Sequence, residues 1–345
     1  MKPEDSIWIM ADIFPNKENS NTRWQPGMQE WESKESIEIL TATIRKLGYT
    51  VEIIQSPQEF LRKYNALTKF LKENLLLWNL VEGYESRNRE GYIPAIAEYL
   101  GVCCIGSDAY AQIISLDKNR TSEIVRNLSI STPKEIRIKN IEDLIVNKFE
   151  LEVNTFFIKP NNEGSSIGIL ESAICNSWQE VKTLAQKLLK VHKEILIQEY
   201  LPGKEFSVAL LEKDEKNWII GSAEVIIPGL VYDQDTKSKT EMPEKIGKVL
   251  NQKIQNTIEK QSLVLVEELG VAGYARVDWK LDNSNQAKFL EINCTPGLSK
   301  IYSLFPKILE LTENLDYTAI IQRIIENAKG QFHSAKRYHY GKSFL

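Results

Sequence analysis

Tyr274-Ala-Arg-Val-Asp-Trp-Lys-Leu281 and Lys288-Phe-Leu-Glu-Ile-Asn293 are two strand-like runs joined by the turn-rich Asp282-Asn-Ser-Asn285. A turn centred on Ser284 and Asn285 sets Asp278 opposite Glu291 and Arg276 opposite Asn293. Side chains alternate between the two faces of a strand, so these four polar residues share one face. Val277, Trp279, Leu290 and Ile292 share the other, which packs on a core. Two carboxylates held face to face repel unless a cation or a proton lies between them. Oxygen ligands from Asp278, Glu291 and Asn293 suit magnesium, a metal commonly shared between one or two carboxylates and substrate phosphates. A solvated face on which Arg276 neutralises both acids explains the hairpin equally well.

Upstream of the hairpin, Asn251 to Leu269 reads as a helix, and Tyr317 to Ala328 is another beyond it. Further upstream, Phe156-Phe-Ile-Lys159-Pro-Asn-Asn-Glu163-Gly164-Ser165-Ser166-Ile-Gly168 is a strand running into a small-residue loop. Such loops present backbone N–H groups to phosphate oxygens, and glycine permits close approach. Lys159 offers a point charge. The loop is neither the Walker sequence nor the Gly-x-Gly-x-x-Gly fingerprint, and neither occurs elsewhere in the chain. The strands Ile195 to Tyr200 and Phe206 to Leu211, with the helix Ser177 to Lys190, complete this region.

The first third alternates strand and helix. Strands are expected at Ile7 to Met10, Tyr49 to Ile54, Leu75 to Leu80 and Val102 to Ile105. Between them lie a helix carrying Ile37, Leu40, Ile44 and Leu47, a second from Pro57 to about Glu73, and a third from Gly91 to Leu100. This alternation implies an α/β fold with a largely parallel sheet covered by helices. After Asp117 the pattern changes, with a helix from Lys118 to Asn127 and a boundary signal at Ser131-Thr132-Pro133. The expected division is 1–116, 117–212 and 213–330, with a tail at 331–345 that lacks clear periodicity.

Composition excludes several function classes. The 345 residues are 42% hydrophobic and 26% charged, with a formal net charge of -4, so no basic field invites nucleic acid. No apolar run reaches the roughly 20 residues that span a bilayer. The polar start, Met1 to Ile7, does not resemble a secretory signal, which places the chain in the cytoplasm. Cys103, Cys104, Cys175 and Cys294 lack metal-ligand spacing and read as reduced thiols. Three scattered histidines argue against a His-based zinc site or a Ser-His-Asp triad. Carboxylates, lysines, arginines and backbone amides must therefore carry any chemistry.

Five motifs in order and spacing resemble the ATP-grasp lobe of D-alanine–D-alanine ligases. They are Ile158-Lys-Pro-Asn-Asn-Glu-Gly-Ser-Ser-Ile-Gly168, Glu199-Tyr-Leu-Pro-Gly-Lys-Glu205, Tyr232-Asp-Gln-Asp-Thr-Lys237, Ala275-Arg-Val-Asp278 and Leu290-Glu-Ile-Asn-Cys-Thr-Pro-Gly297. The resemblance implies an ATP-grasp fold behind a Rossmann-like parallel-sheet domain, and a homodimer. It places Lys118 and Lys159 on ATP, with Glu163, Gly164, Ser165 and Ser166 in the phosphate loop. Gln198, Glu199, Tyr200 and Leu201 would form the hinge that reads adenine, and Glu205 would hold the ribose. Asp278, Glu291 and Asn293 would hold two magnesium ions, for which manganese can substitute. Arg276 and the amide near Gly297 would stabilise the oxyanion, and Lys237 would arrive with a closing loop.

The implied reaction is ATP-dependent joining of a small-molecule carboxylate to an amine. Phosphorylation makes an acyl phosphate, the amine attacks it, and ADP and phosphate are released. The amino-terminal third departs from the family pattern. Gly-Gly-x-Ser-x-Glu, whose acid helps bind the first amino acid, is replaced by Asp12-Ile-Phe-Pro-Asn16 and Trp24-Gln-Pro-Gly-Met-Gln-Glu-Trp31. The His-Gly…Gly-Glu-Asp-Gly segment becomes Asn79-Leu-Val-Glu-Gly83 and Arg89-Glu-Gly91. Ser238 follows the loop lysine where tyrosine is frequent. Tyr302 and Ser303, after Lys300, align with a serine and leucine that face the second substrate. Trp24, Glu82, Arg89, Tyr232, Ser238, Lys300, Tyr302 and Ser303 are thus candidates for a reshaped substrate pocket. Three readings follow: an amide ligase of natural-product (for example mycosporine-type) or dipeptide synthesis, a cell-wall D-alanine–D-alanine ligase, or an inactive nucleotide-binding regulator.

Overall fold

Of the four short strands in the first third, the two central ones bury nearly every side chain because helices cover both sheet faces. They are β1 (Ser6–Ala11), β2 (Thr50–Ile54), β3 (Leu75–Leu80) and β4 (Cys103–Ile105), parallel in the order β2-β1-β3-β4. The crossovers are α1 (Lys34–Lys46), α2 (Pro57–Ala66), α3 (Lys69–Glu73) and α4 (Tyr92–Leu100). The computed structural model describes residues 5–13, 32–83, 86–146, 153–164, 173–214, 217–226 and 245–334. The helix expected from Pro57 to Glu73 is two helices. Leu67 leaves helical geometry at ψ 146, and the Thr68 side chain caps the next helix through Leu71 N. Cys103 and Cys104 lie on opposite faces as alternation requires, and no disulfide forms. Burial pushes the Cys103 thiol up to about 12, so it is inert.

A helix absent from the sequence reading, α5 (Ala109–Leu116), runs directly into α6 (Lys118–Asn127). Asp117 divides them and caps α6 by accepting from Arg120 N. The central sheet is antiparallel, in the order β5-β8-β6-β7, from β5 (Glu135–Ile138), β6 (Phe156–Pro160), β7 (Ile174–Cys175) and β8 (Ile195–Glu199). With α7 (Asp143–Val146) and α8 (Trp178–Leu188) it forms a core of its own around Ile158, Val181, Ala185 and Ile197.

The third sheet runs β11-β10-β9-β12-β13, from β9 (Glu205–Asp214), β10 (Asn217–Ile226), β11 (Lys245–Lys248), β12 (Tyr274–Leu281) and β13 (Ala287–Asn293). Its helices are α9 (Gln252–Glu268), α10 (Leu304–Glu313) and α11 (Tyr317–Ser334), the last reaching past the expected end at Ala328. The strand at Phe206 to Leu211, grouped by sequence with the central lobe, is instead the middle strand here. We therefore propose a division at the turn between Leu201 and Glu205 rather than at 212.

One face of this sheet buries Phe206, Val208, Val277, Trp279, Phe289 and Ile292 with Leu265 and Val266 of α9. Trp279 Nε1 donates to Ser262 Oγ at 2.9 Å. Leu290, expected on that face, is displaced. The ladder steps from Asp278↔Glu291 to Trp279↔Phe289, so Leu290 is the extra residue of a β-bulge and Phe289 takes its place. The opposite face joins the first sheet: Ile7, Ile9 and Trp78 share one core with Ala209, Leu211, Phe305 and Ile321. Each such side chain is worth roughly 1.5–3 kcal/mol of apolar burial. Trp78 Nε1 donates to Tyr274 OH at 3.1 Å across this junction. No helix among the described residues is long and apolar enough to cross a membrane.

Candidate active site

Beyond Ala209, the face shared with the first sheet turns polar. Arg276, Asp278 and Lys280 alternate along β12, opposite Ala209, Ser207 and Glu205 of β9. On the other side Arg276 faces Asn293 and Asp278 faces Glu291, the expected pairing, reached through the bulge at Leu290. Asp278 is only 7% exposed. A buried carboxylate needs compensation, and here Ser207 Oγ donates to Oδ1 at 2.6 Å while Arg276 donates through Nε at 2.9 Å and Nη2 at 2.8 Å. Asn293 Nδ2 is 3.5 Å from Oδ2.

Two lysines complete the cluster. Lys118 opens α6, where the helix dipole disfavours a cation, yet it is buried. Its Nζ lies 3.2 Å from Glu291 Oε2 and donates to the Glu163 carbonyl. Asn161, fully buried at the end of β6, fixes this helix start. Its Nδ2 donates to Asp117 Oδ1 at 2.9 Å, its Oδ1 accepts from Asn119 N at 3.0 Å, and its carbonyl accepts from Lys118 N at 3.3 Å. Burial depresses the Lys159 ammonium despite Glu291 nearby. Burial alone raises Glu291, but Lys118, Lys159 and Arg276 together outweigh it and hold the carboxyl at about 2.

At the other end of the stripe, Lys280 Nζ meets Glu205 Oε2 at 3.2 Å. Gln198 donates to the Glu135 carboxylate, which also accepts from Asn119 Nδ2 at 3.1 Å. The N–H groups of Glu199 and Tyr200 are taken by the carbonyls of Lys134 and Thr155, and Leu201 is buried. Gly164 is half-buried at the entrance to the small-residue loop.

A second cluster lies at the carboxyl end of the first sheet. Glu32, joined to Ile13 by a parallel bridge just before α1, accepts from Tyr302 OH at 2.8 Å. Burial raises its pKa against the hydrogen bonds from Tyr302 and Leu298. Ser36 Oγ donates to Ser299 Oγ at 2.7 Å, and Ser303 Oγ accepts from Ser299 N at 3.0 Å. A Cβ on Gly297 would stand 2.7 Å from Ser303 Oγ, so a side chain here would push the Ser303 hydroxyl aside, and it would lie 3.8 Å from Glu32 Oε1, in ordinary contact. Nearby, buried Arg89 donates to the Glu82 carbonyl at 2.7 Å and lies 3.3 Å from Glu90 and 3.8 Å from Glu163. Lys300 is exposed, with Nζ 6.0 Å from the centre of the Tyr317 ring.

The structure thus gathers Lys118, Lys159, Arg276, Asp278, Glu291 and Asn293, and links Glu82, Arg89 and Glu163. Trp24, Ser165, Ser166, Tyr232, Lys237 and Ser238 lie outside the described residues. Ser207, Lys280, Asn161 and Glu32 escaped the sequence reading. Ser207 and Lys280 were accessible by alternation from Glu205 and Asp278, whereas Glu32 carries no local signal. Among the described residues no group of three or more His, Cys, Asp and Glu converges as a metal cage. Two carboxylates and an amide fit a hard cation whose remaining ligands are phosphate oxygens and water.

Comparison with known proteins bears on this geometry. A family model described as D-ala D-ala ligase C-terminus matches residues 132–326. D-alanine–D-alanine ligase B of Clostridium tetani is 30% identical over 281 residues, covering 77% of this chain and 73% of that protein. The D-alanine–D-alanine ligase of Thermotoga petrophila is 28% identical, covering 79% and 85%. Among solved structures, D-alanine–D-alanine ligase from Bacillus anthracis complexed with ATP superposes with a TM-score of 0.71 at 18% identity, over 96% of this chain and 99% of that one. VanG D-Ala:D-Ser ligase from Enterococcus faecalis gives 0.72 at 17%, over 94% and 99%. At these identities the structural matches show a shared fold.

Proposed function

The chain belongs to the D-alanine–D-alanine ligase family and is an ATP-dependent ligase of that type, and from this premise we propose that it joins two amino acids, with Glu32 taking the ammonium group of the donor. The observation that carries the donor assignment is the half-buried Glu32 carboxylate beside Gly297, held by Tyr302. Glu32 follows directly on Trp31, at the end of the stretch that replaces the family's Gly-Gly-x-Ser-x-Glu. Ser303 and Leu304 open α10, which supports a register one residue later than Tyr302 and Ser303. The serine–leucine pair for the second substrate is then present.

Asp278, Glu291 and Asn293 would hold divalent magnesium, two ions in this reading, with manganese able to replace it. A metal held by these residues would supply neutralisation of phosphate-oxygen charge for phosphoryl transfer. Lys118 and Lys159 neutralise the triphosphate from the helix and strand side. Arg276, fixed on Asp278, faces the end of the stripe where the carboxylate is activated. With the Gly297 amide it stabilises the oxyanion formed when the second amine attacks the acyl phosphate. Lys237, on the segment after Tyr232, and the loop serines Ser165 and Ser166 are assigned to the phosphates on the family resemblance.

An amide ligase of natural-product assembly is the second reading, favoured by Arg89 and Tyr302. They set a guanidinium against Glu163 and a phenol against Glu32 on the amino-acid side. ADP release with single amino acids, pairs of them and amine-free carboxylates, with mass spectrometry of products, separates the two. Dipeptide from D-alanine, alone or with D-serine, is expected. Turnover with amine-free carboxylates and none with any amino acid donor would overturn the proposal.

A further inference from the structure

Three successive rungs of the β9–β12 ladder carry charge on one face. Arg276 lies opposite Ala209, Asp278 opposite Ser207, and Lys280 opposite Glu205. Rungs on the same face are about 7 Å apart. The Lys280–Glu205 pair therefore stands one step beyond the carboxylates assigned to the metal, on the side away from Arg276. A nucleoside triphosphate with its terminal phosphates at Asp278 and Glu291, and its reacting end toward Arg276, passes its sugar over that rung.

The pair is neither a free surface bridge nor a buried one. The Lys280 and Glu205 side chains are 19% and 25% exposed, and Nζ meets Oε2 at 3.2 Å. Two physical consequences follow. An isolated carboxylate on this rung would repel the polyanion that must lie beside it, and Lys280 cancels that repulsion. The ammonium also engages one carboxylate oxygen, which fixes the plane of the group. Each carboxylate oxygen carries two lone pairs, so a group held in plane by the ammonium still accepts from the vicinal hydroxyls of a ribose.

We infer that Lys280 is a positioning residue that fixes Glu205 for the ribose diol and so sets the preference of the enzyme for ribonucleotides over deoxyribonucleotides. The inference rests on the assignment of Glu205 to the ribose. Lys280 touches Glu205, not the reacting atoms, so its signature is selectivity.

The test is steady-state kinetics with ATP, 2′-deoxy-ATP and 3′-deoxy-ATP for the full-length enzyme and the variants Lys280→Met, Lys280→Arg and Glu205→Gln. Loss of a hydrogen bond to a charged acceptor is worth about tenfold or more, so the native enzyme should favour ATP over its deoxy analogues in kcat/KM by that factor. Lys280→Met should bring the ratio down toward one, mostly through the KM for ATP, and Lys280→Arg should restore it. A purely structural lysine would lower the melting temperature of the Met variant and leave the ratio alone. That result, with the ratio collapsed in Glu205→Gln, overturns the role of Lys280 and keeps the ribose assignment. An unchanged ratio in Glu205→Gln overturns both.

Discussion

Lys118 Nζ lies 3.2 Å from Glu291 Oε2, joining the first residue of a helix to the far strand of another sheet. A cation in the first helical turn works against the helix dipole. The carboxylate and the Glu163 carbonyl offset that cost. The pairing holds Glu291 ionised, the form that its proposed metal-binding role requires.

Glu291→Gln removes that anion and keeps its shape. Turnover should fall by about 10²–10³-fold with an unchanged circular-dichroism spectrum, and titration calorimetry should show weakened binding of magnesium–nucleotide. Full activity would remove Glu291 from the site.

Stability should depend on the same group. The folded pKa of Glu291, about 2, lies below its unfolded value of roughly 4.3. A depressed acid contributes stability that is present above the unfolded pKa and lost as pH falls through the folded one. Urea unfolding between pH 5 and pH 2 should therefore show a decline that is shallower in Glu291→Gln. Equal slopes in the two proteins would contradict this account.

Glu32 titrates in the opposite sense. Burial raises its pKa, so the folded protein keeps a proton that the unfolded chain has already released. Its contribution to stability falls as pH rises from the unfolded pKa to the folded one. If the ionised form grips the donor ammonium, kcat/KM for the donor should rise through a limb above the ordinary glutamate range. Glu32→Gln should abolish that limb and raise the donor KM while sparing the KM for ATP. A pH profile identical to the native one would remove Glu32 from donor binding.

Asn161 holds no proposed substrate, yet it ties the end of β6 to the start of α6. Asn161→Ala leaves the buried Asn119 N–H unsatisfied, at a cost of about 1–3 kcal/mol, and removes a donor from Asp117. Because Lys118 is the neighbour that moves, the KM for ATP should rise as well. A stability loss with unaltered ATP kinetics would limit Asn161 to a structural role.

Tyr274→Phe tests the junction between the first and third sheets. The change deletes the acceptor for Trp78 Nε1 in a dry core. A loss of about 1–3 kcal/mol is expected, read as a lower urea midpoint. An unshifted midpoint would show that the hydrogen bond contributes nothing net.

The hairpin was legible because its determinants are local. A turn signal and a two-residue repeat mark the two strands and their polar face without knowledge of the rest of the chain, and the bulge at Leu290 then brings Glu291 opposite Asp278. The bulge at Leu290 was not legible, since it depends on how Phe289 and Trp279 share space under α9. The break at Leu67 and the start of α6 at Asp117 had capping residues in the sequence. An unbroken helical pattern hid the first, whereas the second was read where it stands, with the helix at Lys118 to Asn127.

By itself the sequence determined the alternation of elements, and the two strands of the Tyr274–Asn293 hairpin with the turn between them. Each is set by contacts between residues close along the chain. Only the tertiary structure decided that β9 belongs to the third sheet, that Lys280 faces Glu205, and that Glu32 meets Tyr302 beside Gly297. Those pairings join distant segments, and the apolar burial that drives them leaves no periodic trace at the polar residues it brings together.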